Sequence, residues 1–379
     1  MVKVLIVGGG IGGLALGAAL TRRGVIADLI ERKPRPGDEG AGIVLGPNVM
    51  AVMKGLALHE AILAAGHPVD AARITAATGR VLQETPYSVS GLPLPATALH
   101  RNHLMRVLGS ASPTPRFGVS VLELRRVGDG VEVDFSDGAT GSYDVVVGAD
   151  GIRSRVRTFI CGEEVLPRYS GYTCWRVVVD GHFGESVVEM WGRGRRLGVV
   201  PLGEGRTYLY ATLNAPRRAP PPWTNVAEFR AAYAEFSGAT ARAALAAVER
   251  LEALLHNDIE DCPAPRWWSP GVVLLGDAAH AVTPNLGQGA GLAIEDAAAL
   301  AQLLTTMGPT DSALARYESL RRPRAERILD RSWSIGRIAQ WENRFARGLR
   351  DALLSWTPAS VTRAQLEKVV RDMPGVPIG

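Results

Sequence analysis

The sequence predicts an α/β protein: a Rossmann-like dinucleotide-binding domain with an inserted, mostly antiparallel β-sheet and a set of C-terminal helices. Three observations predict this class. A buried strand runs into a glycine-rich turn and a helix at the N-terminus, two later apolar strands end in an aspartate, and short strands of alternating polarity lie between these motifs. The length of 379 residues suits two domains, or one domain with a large insertion.

The N-terminal motif consists of a strand, a glycine-rich turn and a helix. Residues 2–7 are apolar and β-branched, as in a strand buried on both faces, and residues 14–23 have a helical pattern. Gly8, Gly10 and Gly13 have the GxGxxG spacing, in which the first allows a tight turn, the second lets a pyrophosphate approach the backbone, and the third lets helix and strand pack closely. The motif predicts a dinucleotide site without deciding between NAD and FAD.

The next two strands also end in carboxylates. A strand over residues 25–31 ends in Glu31, where a carboxylate can accept hydrogen bonds from an adenosine ribose. Residues 143–150 predict a buried strand that leads into Asp150-Gly151, and then into a short helix that Ser154 can cap. Both acids are therefore candidates for cofactor binding.

A further strand motif ends in Asp277, and a long helix begins at the glycine-rich run 287–291. Asp277 could bind ribityl hydroxyls, while the free amides at the helix start form a positive site that stabilises the negative charge of a reduced flavin. His280 follows closely, and we expect it to pack near the cofactor rather than act as a catalytic base. Trp267-Trp268 is predicted to anchor the strand that enters this motif.

The composition excludes several classes of protein. Glycine and proline are abundant but short of a low-complexity composition, which excludes intrinsic disorder and collagen-like structure. Three scattered cysteines, Cys161, Cys174 and Cys262, predict neither a disulfide scaffold nor a metal site. Because we find no signal peptide and no uninterrupted run of about 18 apolar residues, we expect a cytoplasmic protein without a transmembrane span.

The net charge of +4 raises the question of an anionic partner. Residues 316–350 hold ten Arg and four acidic residues, so the positive charge is concentrated in the predicted C-terminal helices. Proline and glutamate interrupt its densest run, residues 321–327, and no aromatic residues are interleaved for base stacking. We therefore expect no nucleic-acid partner.

At these motifs the chain resembles the single-component FAD-dependent monooxygenases, the aromatic-hydroxylase family typified by salicylate and p-hydroxybenzoate hydroxylases. The resemblance covers residues 4–328 in the family's order, through GGGIGGL, GAGIVLGPNVMAVMKGLAL, HRNHLMRVL, GADG, GDAAH, PNLGQGAGLAIED and YESLRRPRAERI. It implies a non-covalently bound FAD, and NAD(P)H as a co-substrate that docks without a Rossmann domain of its own. It also implies that NAD(P)H reduces FAD, that O₂ adds at flavin C4a, and that the hydroperoxide transfers one oxygen to an electron-rich carbon.

The resemblance also implies contacts with FAD. Glu31 and Arg32 are expected at the adenosine, and Arg101 at the pyrophosphate. Asp277 is expected at the ribityl–phosphate region, and Asp150-Gly151 near both FAD and the nicotinamide cofactor. The residues expected to contact FAD, of which those from Pro284 onward flank the isoalloxazine, are Gly8, Gly10, Ile11, Gly12, Gly13, Glu31, Arg32, Val44, Arg101, Val121, Asp150, Gly151, Asp277, Pro284, Gly287, Gln288, Gly289 and Ala290.

Three functions agree with the sequence. The leading hypothesis is hydroxylation of an aromatic or heteroaromatic small molecule. A second is epoxidation of an alkene, because the stretch YSGYTCW (residues 169–175) resembles the corresponding stretch of zeaxanthin epoxidase. A third is a flavoprotein that binds FAD without monooxygenation, such as a reductase or a binding module. Flavin halogenation is disfavoured because the sequence has no WxWxIP stretch.

The FAD-binding domain is predicted to be discontinuous, formed by residues 1–70, 98–163 and 264–337, with a C-terminal helical segment over residues 338–379. Residues 71–97 and 164–263 are predicted to form the substrate-binding domain. In it, six short runs alternate as strands of a sheet with one face toward the flavin: residues 72–77, 80–84, 172–179, 187–191, 197–201 and 207–213. The Ala-rich residues 226–254 are predicted as helix outside this sheet.

Polar residues near the flavin are candidates for binding the substrate. The residues predicted to contact the substrate are the polar Tyr172, Arg176 and Tyr210, together with Pro284 beside the isoalloxazine. Arg196 and Tyr208 lie twelve residues apart across a hairpin that resembles the hairpin of bacterial FAD-dependent urate hydroxylase. There an Arg and a Tyr at matching positions orient the substrate and aid its deprotonation. The resemblance therefore implies catalytic roles for these two residues.

The last predicted feature is an amphipathic helix with arginines off its apolar stripe. The apolar residues recur at three- or four-residue spacing: Ile338, Trp341, Phe345, Leu349, Leu353 and Trp356. We expect this stripe to dock on the body of the protein, with a dimer contact or a peripheral membrane contact as alternatives. The chain is expected to be a monomer or a homodimer.

Overall fold

The computed structural model describes residues 2–37, 40–92 and 94–376, so the last three residues of the predicted C-terminal segment lie outside it. The strands in chain order are β1 (Val4–Val7), β2 (Ala27–Glu31), β3 (Gly42–Leu45), β4 (His67–Val69), β5 (Ala71–Ala76), β6 (Val81–Pro86), β7 (Ala96–His100), β8 (Arg116–Phe117), β9 (Val121–Val127), β10 (Gly130–Phe135), β11 (Thr140–Tyr143), β12 (Val145–Gly148), β13 (Arg168–Asp180), β14 (Val187–Trp191), β15 (Arg195–Pro201), β16 (Arg206–Asn214), β17 (Leu255–Pro263), β18 (Trp268–Ser269) and β19 (Val272–Leu274). The α-helices are α1 (Ile11–Thr21), α2 (Pro47–Gly55), α3 (His59–Ala65), α4 (Arg101–Ala111), α5 (Arg155–Cys161), α6 (Val226–Ala232), α7 (Ala239–Ala246), α8 (Asp277–His280), α9 (Gly289–Thr306), α10 (Asp311–Ala339), α11 (Arg344–Trp356) and α12 (Ala359–Arg371). Short 3₁₀ turns lie at Leu251–Ala253 and Pro284–Leu286.

A six-stranded sheet carries the N-terminal motif. Its strand order is β18-β19-β12-β1-β2-β8, and all neighbours are parallel except the edge pair β18 and β19. Strands β1, β12 and β19 are buried along their whole length, which explains why they are continuous apolar runs rather than alternating ones. The carboxyl ends of β1, β2, β12 and β19 lie along one edge, which is where open α/β sheets bind their ligands.

A seven-stranded sheet forms the second part of the fold, in the order β17-β13-β16-β15-β14-β5-β6. It contains all six predicted short strands, as β5, β6 and β13 to β16, and all neighbours are antiparallel except β14 and β5. Alternate side chains, such as Trp175, Val177 and Leu209, form a buried core with α6 and α7. The residues between them face the opposite side of the sheet.

The outer layer of this sheet differs from the sequence-based prediction. The single helix predicted over residues 226–254 is wrong, because the chain forms the two short helices α6 and α7 there. Between them, the Ser237 N–H donates to the Ala77 carbonyl and Gly238 precedes α7 in an extended conformation. The sequence also does not predict β17, whose polar residues LHNDIEDCP lack a strand-like pattern, although β17 pairs with β13 over much of its length.

The C-terminal amphipathic segment is interrupted. Helix α10 ends at Ala339, and the Gln340 side chain donates to Asn214 of β16 at 3.0 Å. Asn343 then caps the next helix, because its side chain accepts from the Phe345 and Ala346 amides. The single helix predicted from Ile338 to Trp356 is therefore wrong, and the first two residues of the stripe lie before α11.

The orientation of helix α11 also differs from the prediction. Its buried residue is Arg350, which donates to the Ala339 carbonyl at 3.1 Å and places its guanidinium over the Trp191 ring, 5.1 Å from the centroid. The apolar side chains on the other face are exposed: Phe345, Leu349, Leu353 and Trp356. The prediction that this stripe docks on the body of the protein is wrong. Within the described residues, no helix is both long and apolar enough to cross a membrane.

Candidate active site

The glycine-rich turn between β1 and α1 meets each requirement of its spacing. Gly8 has a φ of +113°, which only glycine adopts readily. A Cβ on Gly13 would lie 1.9 Å from the Gly8 carbonyl oxygen, so the third glycine is needed for helix and strand to pack. A Cβ on Gly10 would meet no protein atom within 4 Å. The second glycine is thus not required by the protein's own packing, in agreement with a ligand phosphate approaching the backbone there.

The carboxylate of Glu31 lies beside this turn. Its two oxygens accept from the Gly9 amide at 2.8 Å and from the Lys33 amide at 2.9 Å. Arg32 and Arg101 are exposed, and Arg101 is the first residue of α4. These positions leave both guanidinium groups accessible to a phosphate or an adenosine.

Two aspartates follow the central strands of the six-stranded sheet. Asp150 accepts from the Ser154 hydroxyl at 2.5 Å and from the Arg155 amide at 2.8 Å, so it holds the start of α5. Ser154 itself caps α5, as predicted. Burial raises the pKa of Asp150, and the hydrogen bonds from Ser154 partly offset this effect. Gly151 follows with a φ of +80°.

Asp277 differs from Asp150 because none of the described residues donates a hydrogen bond to its carboxylate, and because it is exposed to solvent just after β19. It follows Gly276, whose φ of +61° turns the chain out of the strand. The neighbouring protein partly desolvates the carboxylate, which raises the pKa of Asp277. The charges of His280 and Arg101 partly offset this effect. An exposed carboxylate within reach of Arg101 suits hydroxyl groups next to a phosphate.

The remaining predicted FAD contacts fall into three groups. Ile11 and Gly12 begin α1, and a Cβ on Gly12 would lie 2.6 Å from the Leu275 side chain. Val44 lies in β3 and Val121 begins β9. The others form one turn and the start of α9: Pro284, Gly287, Gln288, Gly289 and Ala290.

That turn is built to leave the amides of α9 open. Residues 284–286 form a 3₁₀ turn, Gly287 has a φ of +62°, and no side chain among the described residues caps α9. The uncapped amides give the helix start a positive potential. Asn285 fixes the turn, because its amide nitrogen donates to the Ser332 carbonyl at 2.8 Å. The geometry agrees with the anion-stabilising site that the sequence predicts.

A buried network of charges clamps α9 to α10. Arg324 donates to both oxygens of Glu295 at 2.7 Å, and Arg321 donates to Glu295 at 2.6 Å and to Asp296 at 2.7 Å. All four side chains are almost completely buried. Burial alone would raise the pKa of Asp296, but His280 and Arg321 outweigh it and hold that pKa at about 2. Two arginines of the basic run over residues 321–327 are therefore structural.

His280 belongs to the same network. Its Nε2 lies 2.5 Å from Asp296 Oδ2, and its ring centroid lies 5.0 Å from that of Trp267. Both rings are buried. These contacts agree with the prediction that His280 packs near the cofactor site and that Trp267 anchors the strand.

The predicted substrate residues share one face of the seven-stranded sheet. Tyr172, Arg176, Arg196, Tyr208 and Tyr210 occupy alternate positions of β13, β15 and β16, on the side opposite the α6 and α7 core. In the register of the sheet, Arg176 pairs with Tyr210. The rings of Tyr208 and Tyr210 lie 5.8 Å apart. The structure thus brings all five side chains to one surface.

This surface meets the six-stranded half of the protein at two points. The Tyr172 hydroxyl donates to Asn285 Oδ1 at 3.0 Å, which joins the sheet to the turn before α9. Tyr208 packs on β3, because a Cβ on Gly42 would lie 2.5 Å from its ring. Burial raises the pKa of Tyr208, and Arg176 partly offsets the effect. The polar face of the sheet therefore faces the turn before α9 that is predicted to flank the flavin.

Arg196 is the buried cation of that face. It donates to Glu189 Oε1 at 2.8 Å, and its guanidinium lies 5.0 Å from the centroid of the Tyr172 ring. Burial alone would lower the pKa of Arg196, but Glu189, Tyr172 and Tyr210 outweigh it and raise that pKa. Arg196 is therefore charged. An anionic ligand that bound there would share the guanidinium with Glu189.

Three residues of this region are missing from the sequence-based predictions: Glu189, Asn285 and Asn48. Glu189 holds Arg196 and also accepts from the Trp191 indole at 3.0 Å. Asn48 donates to Glu295 at 2.7 Å and to Gln288 at 3.4 Å. An acid within the apolar strand VVEMW, and asparagines beside prolines in GPN and PNL, are the signals that could have found them. Among the described residues, no group of three His, Cys, Asp or Glu side chains could hold a metal ion.

Known proteins share this architecture. A family model described as an FAD binding domain matches residues 1–332 of the chain. The chain belongs to this family. It is 40% identical over 363 residues to the aurachin C monooxygenase/isomerase of Stigmatella aurantiaca, with 93% of each chain covered. It is 36% identical over 367 residues to the 2-heptyl-3-hydroxy-4(1H)-quinolone synthase of Pseudomonas aeruginosa strain UCBPP-PA14, with 95% of each chain covered.

A solved structure shows the same fold. Klebsiella pneumoniae HpxO complexed with FAD and uric acid superposes with a TM-score of 0.89 at 24% identity, over 98% of this chain and 97% of that one. Together with the family match, this confirms the α/β fold class and the resemblance to single-component FAD-dependent aromatic hydroxylases. The protein is an FAD-binding oxidoreductase of the monooxygenase class. Its individual contacts with FAD stay predictions.

The contact expected of Asp277 can be measured directly. Asp277→Asn is expected to weaken FAD binding about 10- to 100-fold, because a hydrogen bond to a charged group contributes about 1.5–3 kcal/mol. Titration of the apoprotein with FAD, followed by flavin fluorescence, gives the dissociation constants. Asp180→Asn, the same change at an exposed carboxylate at the end of β13, serves as the control and should bind FAD like the wild type. Equal affinities for the two variants would remove Asp277 from the site.

Proposed function

We propose that this protein is a monooxygenase that consumes NAD(P)H and O₂ and hydroxylates a ring carbon of a heteroaromatic small molecule. The hydrogen bond from Tyr172 to Asn285 is the observation that carries the proposal. It joins the polar face of the seven-stranded sheet to the turn expected to flank the isoalloxazine. A planar substrate on that face would lie beside the part of FAD at which oxygen reacts.

One relative suggests the substrate class. Its name, 2-heptyl-3-hydroxy-4(1H)-quinolone synthase, describes a nitrogen-containing ring with a hydroxyl group at C3 and an alkyl chain at C2. The ring nitrogen of such a compound donates electron density through the ring double bond to C3, which makes that carbon nucleophilic. We therefore propose a 4(1H)-quinolone or a ring of similar electronic character as the substrate.

FAD, when bound, would accept the reducing equivalents of NAD(P)H and activate O₂. The chain's own residues would prepare the substrate. Arg196, a buried cation, would bind the C4 oxygen, which shares negative charge with C3 once the ring nitrogen has lost its proton. Tyr208, kept protonated by its raised pKa, would donate a hydrogen bond to the same ring. The packing of Tyr208 on Gly42 would help to exclude water from the reacting carbon.

The test is turnover of the FAD-loaded protein with 2-heptyl-4(1H)-quinolone. This compound is the one in the relative's name without its C3 hydroxyl group, so it is the expected substrate. We expect the quinolone to accelerate oxidation of NADH or NADPH and to gain one oxygen atom at C3, as identified by mass spectrometry and NMR. Oxygenation of an alkene such as a terpenoid, without reaction of the quinolone, would favour the epoxidase alternative. Formation of peroxide alone with phenols, quinolones and alkenes would support a flavoprotein that does not oxygenate.

A further inference from the structure

Helix α11 presents an apolar face to solvent. Phe345 is 77% exposed, Leu349 59%, Leu353 55% and Trp356 77%. Their spacing of four, four and three residues places them on one side of the helix. The opposite side packs near β6 and buries Arg350, so the usual orientation of a surface helix is reversed. This surface, called here the apolar face of α11, is not covered by any of the described residues.

Two further large apolar side chains are exposed just before α11. Ile338 and Trp341, just before α11, are 39% and 38% exposed. One exposed tryptophan, Trp341, therefore comes shortly before the helix, and another, Trp356, is its last residue. Tryptophan is enriched where one end of a side chain meets hydrocarbon and the other meets polar headgroups.

The flank of the apolar face carries uncompensated positive charge. Arg337 and Arg344 are exposed, and no acidic side chain among the described residues pairs with either. Asp351 pairs with Arg350, and Glu342, which accepts from the neutral Asn214, is the other acid of residues 337–351. Four arginines against these two acids leave this segment a net charge of +2. Long arginine side chains can keep an apolar stem against hydrocarbon while the guanidinium binds a headgroup phosphate.

The composition of this surface favours a bilayer over a second copy of the chain. The four exposed side chains form a stripe of roughly 500 Å², taking about 150–250 Å² for each aromatic residue. A stable dimer buries about 800 Å² of apolar and polar surface together on each partner, so the charged residues beside the stripe would have to supply the rest. A two-fold contact would also place the arginine-flanked helix against itself. An interfacial helix needs only an apolar face sunk to headgroup depth, with cations at its sides and anionic lipid around it.

We infer that α11 is a membrane-surface contact, which binds one leaflet of a bilayer containing anionic lipids through Phe345, Leu349, Leu353 and Trp356. The helix lies in the interface and does not span the bilayer. Its 13 residues are about 20 Å long, which suits a helix lying along the surface. Because it packs near β6 of the seven-stranded sheet, it would hold that sheet close to the membrane surface.

Cosedimentation of the FAD-loaded protein with vesicles tests this contact. We expect binding to vesicles of phosphatidylcholine with phosphatidylglycerol, and binding that weakens as salt rises. Phe345→Gln combined with Trp356→Gln should lower the partition coefficient at least about tenfold, since each removes a large apolar side chain from the bilayer. Arg337→Gln combined with Arg344→Gln should remove most of the preference for the anionic vesicles.

The control is Leu166→Gln, which changes an isolated leucine that is 70% exposed and should leave vesicle binding unchanged. Circular dichroism and the FAD absorbance of each variant check that it is folded. Equal sedimentation of the wild type with and without vesicles would overturn the inference. So would a doubled mass in light scattering that the Phe345 and Trp356 double variant abolishes, which would identify a second copy as the occupant. Because no substrate or NAD(P)H is present, a failure of the proposed function would not affect this result.

Discussion

Replacing Glu295 with glutamine is expected to lower the free energy of unfolding by about 3–5 kcal/mol, the usual cost of breaking a buried ion pair. Glu295 is completely buried and accepts hydrogen bonds from Arg321, Arg324 and Asn48 at 2.6–2.7 Å. The variant would keep the shape of the side chain but leave Arg324 without a carboxylate partner and Arg321 with Asp296 alone. Urea unfolding at a fixed FAD concentration, followed by circular dichroism, measures the loss.

A matched control lies on the partner helix α10. Glu326→Gln makes the same chemical change in a pair with Arg322 at 2.7 Å, but the Glu326 side chain is 54% exposed. Surface ion pairs contribute about 0–1 kcal/mol, so this variant should unfold almost like the wild type. Similar losses for the two variants would mean that the network beneath α9 does not stabilise the fold as its burial indicates.

This network shows one limit of prediction from sequence. The basic run over residues 321–327 reads as a charged surface, because its local pattern contains no information about partners elsewhere in the chain. Arg321 pairs with Glu295, 26 residues earlier, across two packed helices. The resemblance through PNLGQGAGLAIED and YESLRRPRAERI includes both residues, but a motif match does not state that they touch.

The features that the sequence predicts well are those with a local cause. Strands β1, β12 and β19 are continuous apolar runs because both their faces pack in the apolar core. The strands of the second sheet alternate because one face packs on α6 and α7 and the other carries polar side chains. The glycine spacing follows from close contacts such as that of Gly13 with the Gly8 carbonyl. Each of these patterns is fixed within a few residues, so a single sequence is enough.

The features that it misses depend on which neighbour an element meets. A period of 3.6 residues shows that α11 has an apolar face, but it cannot tell whether that face points inward or outward. The outward orientation follows from the cap at Asn343 and from the burial of Arg350 against Trp191. Glu189 was missed for the same reason, since its partner Arg196 comes from the next strand of the sheet.

Arg196→Gln is expected to lower the rate of substrate oxygenation about 100-fold or more, while FAD stays bound. The guanidinium lies on the sheet face that meets the predicted flavin turn, and removing a single buried donor to a developing negative charge costs about 10²–10³ in rate. The measurement is the rate of oxygenated product formation with the substrate found by the assay above, together with the FAD dissociation constant.

Arg195→Gln is the matched control for this variant. Arg195 is the neighbouring residue of β15, but its side chain points to the other side of the sheet, where it donates to the Ala232 carbonyl and lies 3.7 Å from Glu235. Its loss should change stability and leave the rate of oxygenation within a few-fold of the wild type. Equal rates for the two variants would exclude Arg196 from the substrate site.

A second comparison separates binding of the substrate from a purely structural role. If Arg196 acted only by neutralising Glu189, the double variant Arg196→Gln with Glu189→Gln would recover the wild-type rate, because the unpaired buried carboxylate would be gone. If Arg196 binds the C4 oxygen of the substrate, the double variant should stay as slow as Arg196→Gln alone, although it should be more stable. We expect the second result, because neutralising Glu189 restores no positive charge to the face on which the substrate would lie.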